Sequence, residues 1–156
     1  MLKKIIFITF LFFTIACQPL SEDDKGSTVN HLIPQCIASQ SQCKISTKLA
    51  GFNLKFSQEK LSDTIKTELP FTVELSQSPG DFNNKVSKIS AYIEGKDMFM
   101  GKVPIFFQKK GDSDIYLAKS LLARCGEALM IWRLWITVET ATKTETFFID
   151  FTSENV

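Results

Sequence analysis

From Met130 to Val138 the sequence alternates: Met130, Trp132, Leu134, Ile136 and Val138 share one parity, Ile131, Arg133, Trp135 and Thr137 the other. Strand side chains point to opposite faces with a period of two, so this stretch predicts a β-strand with one face buried. The pattern recurs along the chain. Phe52, Leu54 and Phe56 alternate with Asn53 and Lys55, and Leu69, Phe71, Val73 and Leu75 with Pro70, Thr72 and Glu74. Ile89, Ala91 and Ile93 alternate with Ser90 and Tyr92. Val103, Ile105 and Phe107 follow, then a turn over 109–114, and Phe147, Ile149 and Phe151 close the series. Ile45, Thr47 and Leu49 predict a further strand ahead of Gly51. Residues 115–129 are ambiguous, because Leu117, Leu121, Leu122 and Leu129 also suit a short helix. Gly126 favours a strand over 115–121 and a loop over 123–127. About seven short strands separated by turn residues imply an all-β fold, an antiparallel two-sheet sandwich. Apolar residues on one strand face are core residues in that reading. Trp135 is the exception. It is expected to cover the outer surface of its sheet, stack with Arg133 or form part of a contact patch.

The first residues do not share this pattern. Lys3 and Lys4 precede a twelve-residue run from Ile5 to Ala16, and Cys17 follows at once. A run of that length is too short for a bilayer core, which needs roughly 20 residues. Thr14-Ile15-Ala16 also fits an ordinary small-x-small cleavage site poorly. The segment resembles a bacterial lipoprotein signal peptide, with Phe13 to Cys17 as its lipobox and Thr14 where leucine is usual. The resemblance implies cleavage before Cys17, acylation of that thiol, and export to the cell envelope. Gln18 rather than aspartate after the cysteine makes the periplasmic face of the outer membrane the expected destination.

The chain then divides into a signal over 1–16, a lipidated cysteine and polar tether over 17–30, and a sandwich domain over 31–156. The tether, with Pro19, Gly26 and no apolar period, buries too little to offset its ordering entropy. Losing Lys3 and Lys4, and no acid, with the signal takes the formal charge from +1 to −1. A nearly neutral chain without a basic patch argues against a nucleic-acid partner. The expected partners are membrane lipid, through the acyl anchor, and an envelope protein.

Three cysteines remain for an oxidising compartment: Cys36, Cys43 and Cys125. Cys36 and Cys43, with six residues between them, close a small loop and are the expected disulfide. The competing arrangement links Cys125 to one of them, and sequence alone does not fix connectivity.

Catalytic patterns are absent. His31 is the only histidine and sits at the edge of the tether, and there is no zinc spacing, phosphate loop or dinucleotide fingerprint. The chain is therefore expected not to be an enzyme. One constellation carries chemistry. Met98 and Met100 share a parity, and Met130 lies five residues beyond Cys125. Were the two segments adjacent, thioethers and a thiol would converge into a set suited to Cu(I), which prefers soft sulfur ligands. Methionine also fills irregular core gaps, and that is the competing reading. A third reading gives Cys125 a thiol-redox role, which requires an exposed thiol of lowered pKa.

The Met-x-Met-Gly of Met98–Gly101, the Tyr-x-Ala of Tyr116–Ala118 and the Met-x-Trp-Arg-Leu of Met130–Leu134 lie in order across about a third of the chain. This stretch resembles the YtkA-like and FixH-like exported β-sandwich domains. The resemblance implies an immunoglobulin-like fold and a link to copper handling or cytochrome oxidase maturation. This chain departs from the pattern in lacking a histidine near the methionine loop. Two functions follow as expectations: a lipid-anchored, non-enzymatic binding module, and a periplasmic Cu(I)-binding or delivery protein using Met98, Met100, Cys125 and Met130.

Overall fold

The structure, a computed structural model, describes residues 42–59, 64–78 and 85–156. The signal, Cys17, the tether and Cys36 lie outside the described residues. Within them the chain forms ten strands. They are β1 (Gln42–Ser46), β2 (Gly51–Gln58), β3 (Ile65–Lys66), β4 (Phe71–Gln77), β5 (Val86–Gly95), β6 (Lys102–Ile105), β7 (Gln108–Lys109), β8 (Ile115–Ser120), β9 (Leu129–Thr140) and β10 (Thr144–Glu154). Among the described residues no helix is long and apolar enough to cross a membrane.

Two five-stranded sheets result, ordered β1-β2-β4-β8-β7 and β3-β10-β9-β5-β6. Setting aside β1 and β3, the first sheet runs in the immunoglobulin order A-B-E-D and the second in the order G-F-C-C′. The expected immunoglobulin-like sandwich is thus the observed one. The strand β1 adds an edge beyond A. The short β3 pairs parallel with β10, the one departure from antiparallel pairing among the described residues.

The parity seen in the sequence sets the core. Trp132, Leu134, Ile136 and Val138 of β9 are buried, as are Phe147, Ile149 and Phe151 of β10 and Phe52, Leu54 and Phe56 of β2. The sheets meet through aromatic pairs: Phe52 stacks on Phe147 at 5.4 Å, and Phe56 lies 4.8 Å from Phe151. Trp132 retains its hydrogen bond in this interior, donating from Nε1 to Ser153 Oγ at 2.7 Å. Residues 121–128 form a loop, as Gly126 implies, and β8 covers the expected strand before it.

Three strands differ from expectation. β1 ends at Ser46, so Thr47 and Leu49 lie in the turn before β2, where Thr47 bonds back to the Ala50 carbonyl. The alternation at Val103, Ile105 and Phe107 does not continue as one strand, because after Ile105 the chain crosses from one sheet to the other and resumes as β7. Leu69 lies outside β4, and its carbonyl accepts from Gln58 Nε2 at 3.0 Å. That amide also donates to the carbonyl of Lys66, and its oxygen accepts from the Lys66 N–H, fastening the end of β2 to β3.

Candidate functional site

The register brings several strand ends together. The C-termini of β2, β5, β8 and β10 lie at one end of the sandwich with the N-termini of β4, β6 and β9. Two loops meet there, residues 96–101 and residues 121–128.

The first loop is anchored at its root. The Lys96 N–H donates to the Ile131 carbonyl at 2.9 Å, and Lys96 Nζ reaches Asp150 Oδ2 at 3.0 Å. Gly95 has no room for a side chain: a Cβ there would collide with the Met98 carbonyl oxygen and lie 2.5 Å from Met130 Cε. The missing Cβ thus lets the loop fold back over Met130. Gly101, at φ 78°, supplies the left-handed residue that returns the chain into β6. The second loop is held by Asn155, whose Nδ2 donates to the carbonyls of Cys125 and Glu127, both at 3.0 Å. The Asn155 N–H donates to the Ala128 carbonyl, and Leu122 is fully buried beneath the loop.

These anchors place Cys125 Sγ 3.9 Å from Met98 Sδ. Cys125 is the free cysteine among the described residues, whereas Cys43 is buried in the core and has a partner. Met130, 8% exposed, packs under the same loop. Met98 is 44% and Met100 36% exposed. The chain bends at Lys96–Met98, and Met98 and Met100 lie in a loop outside any strand, with Met100 on its outgoing arm. Asp97, Met98, Glu127, Leu129, Met130 and Ile131 line a cavity of about 430 Å³ at this end. Among the described residues no three His, Cys, Asp or Glu side chains converge as a metal site. The donors that do converge are sulfurs, the type suited to a soft cation.

On the outer face of the second sheet, Trp135 covers the surface and stacks with Arg133. Its ring lies 4.9 Å from Phe148 and 6.4 Å from Tyr92, and Nε1 donates to Glu94 Oε1 at 2.7 Å. The Arg133 guanidinium sits 3.9 Å above Phe148 and 5.7 Å from the Trp135 ring. It also forks onto Asp150, with Nε donating to Oδ1 at 2.7 Å and Nη2 to Oδ2 at 3.0 Å. Asp150 is only 2% exposed although it points away from the core. Burial alone would raise its pKa, but hydrogen bonds and charge from Arg133 and Lys96 outweigh that and hold it below the ordinary carboxylate range. Sequence reasoning missed Asp150. The available signal is a single acid between Ile149 and Phe151, at a position that pairing sets opposite Arg133.

No family model matches the chain, and no curated protein matches it. Among solved structures, a DUF4426 family protein from Pseudomonas aeruginosa PAO1 aligns at 11% identity and a TM-score of 0.48, over 69% of this chain and 92% of that one. A DUF4785 family protein from Legionella pneumophila subsp. pneumophila aligns at 13% identity and a TM-score of 0.47, over 71% of this chain and 30% of that one.

Proposed function

We propose that this chain is an exported, lipid-anchored, non-enzymatic binding module of the bacterial cell envelope, acting at the periplasmic face of the outer membrane through the loop end of its sandwich. The observation that carries the reading is the concentration at that end of an apolar-lined cavity and exposed Met98, Phe99, Met100, Leu121 and Leu129. Large exposed apolar side chains grouped together mark an interaction site, whereas scattered ones need no explanation. The lipobox supports the anchor. Metabolic labelling with palmitate in an expressing bacterium tests it. Label that is retained by the parent chain and lost from Cys17→Ser is the expected result. An unlabelled chain released from the membrane fraction removes the anchor.

The Met98–Cys125 contact favours a second reading, in which the module carries Cu(I). Met98, Cys125 and Met130 would supply soft sulfur ligands, with Met100 available from the outgoing arm of the loop. Cu(I) titration of the processed chain against a competing chelator, under reducing conditions, tests this. Binding that disappears in the Met98→Leu/Met100→Leu double variant supports the reading, with stability changed by less than about 0.5 kcal/mol because the swap conserves volume and apolar character at two sites outside the core. No competition with the chelator leaves the binding module without copper.

A further inference from the structure

Five of the seven large exposed apolar side chains among the described residues stand at one end of the molecule. Phe99 is 82% exposed at the tip of the 96–101 loop, with Met98 and Met100 on either side. Leu121 and Leu129, 48% and 61% exposed, bracket the neighbouring loop. The core below gains nothing from this exposure, since Met130, Trp132 and Phe151 already close it. The two loops are rooted by Lys96 on Asp150 and by Asn155 on Cys125 and Glu127, so their apolar side chains are presented on a fixed base.

Chain direction gives this end a second property. β1 runs from Gln42, opposite Lys55, to Ser46, opposite Gly51. Gln58, at the other terminus of β2, lies at the loop end, so the chain enters β1 from the side of that end. The 24 residues separating Cys17 from Gln42 span at most roughly 80–90 Å when extended, ample to let the loop end rest on the bilayer that holds the acyl chains.

We infer that the loop end docks onto the lipid surface, with Phe99 and its methionine neighbours inserted among the acyl chains and the sandwich standing upright on the membrane. This rests on the lipid-anchored reading and names the surface against which its binding end works. Lys102, whose Nζ lies 4.3 Å from the Tyr92 ring, and exposed Arg124 border the tip and have the long stems that let a cation reach headgroups while apolar neighbours insert. Asp97 and Glu127 border it too. The local charge is therefore nearly balanced, and insertion is driven by apolar side chains rather than by anionic headgroups. Docking should persist in about 0.5 M salt, where exposed charges are screened.

The test uses the full, acylated chain in phosphatidylethanolamine–phosphatidylglycerol vesicles with brominated acyl chains. Phe99→Trp places an indole at the tip. Ala141→Trp places one in the exposed far hairpin, about 36 Å away along the twelve residues of β9. The expected result is flotation of both variants with vesicles. After the Trp132 and Trp135 emission of the parent chain is subtracted, the indole at position 99 should be blue-shifted on vesicles and quenched by the brominated chains, while that at position 141 is unaffected. Flotation with equal or absent quenching at the two positions overturns the docking and leaves the anchor standing. Failure of the acylated chain to float overturns both.

Discussion

At the end formed by the β1–β2 and β9–β10 turns, polar groups close the structure. The Glu145 carboxylate accepts from the N–H groups of Lys48 and Leu49 at 2.9 and 2.8 Å, tying a turn of one sheet to a strand of the other. Thr47 and Thr140 bond within their own turns, Thr47 Oγ1 donating to the Ala50 carbonyl and Thr140 Oγ1 to that of Lys143. Leu49 is 4% exposed, covered by this arrangement. At the opposite end Asn155 and Lys96 perform the same anchoring, yet the loops they root leave Phe99, Met98 and Leu129 in solvent. Among the described residues, the large exposed apolar side chains gather at the loop end, and none stands in the β1–β2 or β9–β10 turns. Polar closure is enough to finish a sandwich, so the exposed residues of the loop end are surplus to folding and available for contact.

The comparison is most sharply broken by two phenylalanines of the loop end. Phe151→Ala empties a fully buried position beside Phe56 and should cost about 3–5 kcal/mol in urea unfolding. Phe99→Ala should change stability by no more than about 0.5 kcal/mol. A comparable loss at Phe99 would mean that the tip packs against the fold and is not free for contact. Next in size is the outer face of the second sheet. Arg133→Leu leaves a buried carboxylate with Lys96 alone and should cost about 2–3 kcal/mol. That is less than for a fully buried pair, because Arg133 is partly exposed. The same pair sets an acid dependence. The folded-state pKa of Asp150 lies below its unfolded value, so its contribution is complete above the ordinary carboxylate range and fades as pH falls through the lowered value. Stability of the parent chain should decline across that acid window, and Asp150→Asn should flatten the decline; equal acid limbs would remove Asp150 as a cause. A smaller loss than at either buried position belongs to the polar end. Glu145→Ala leaves two turn N–H groups to water and should cost about 1–2 kcal/mol by thermal unfolding, without altering palmitate labelling or vesicle quenching.

Much of the fold was legible because period-2 alternation is a local signal. Met130 to Val138 announced β9 and its buried face, and the odd parity of Trp135 correctly placed it on the outer surface with Arg133. Where the chain changed sheets the signal misled: Val103, Ile105 and Phe107 alternate as one strand, but the crossing after Ile105 divides them. The site was legible in composition and less so in geometry. The sulfur residues stood out by type, and the structure brings Met98 to Cys125, but Met98 and Met100 lie in a bent loop and not in the strand that their shared parity suggests.

By itself the sequence determined the all-β class, the inward rows and the loop around Gly126, since each follows from residues a few positions apart. The tertiary structure alone decided that Met98 and Cys125, 27 residues apart, share an end, that Asp150 lies beneath Arg133 and Lys96, and that β3 pairs parallel with β10. The reason is physical. Alternation reports which face of a strand is apolar, whereas the loops that meet, and the charge that is buried, depend on strand order and register, which link residues far apart in the chain.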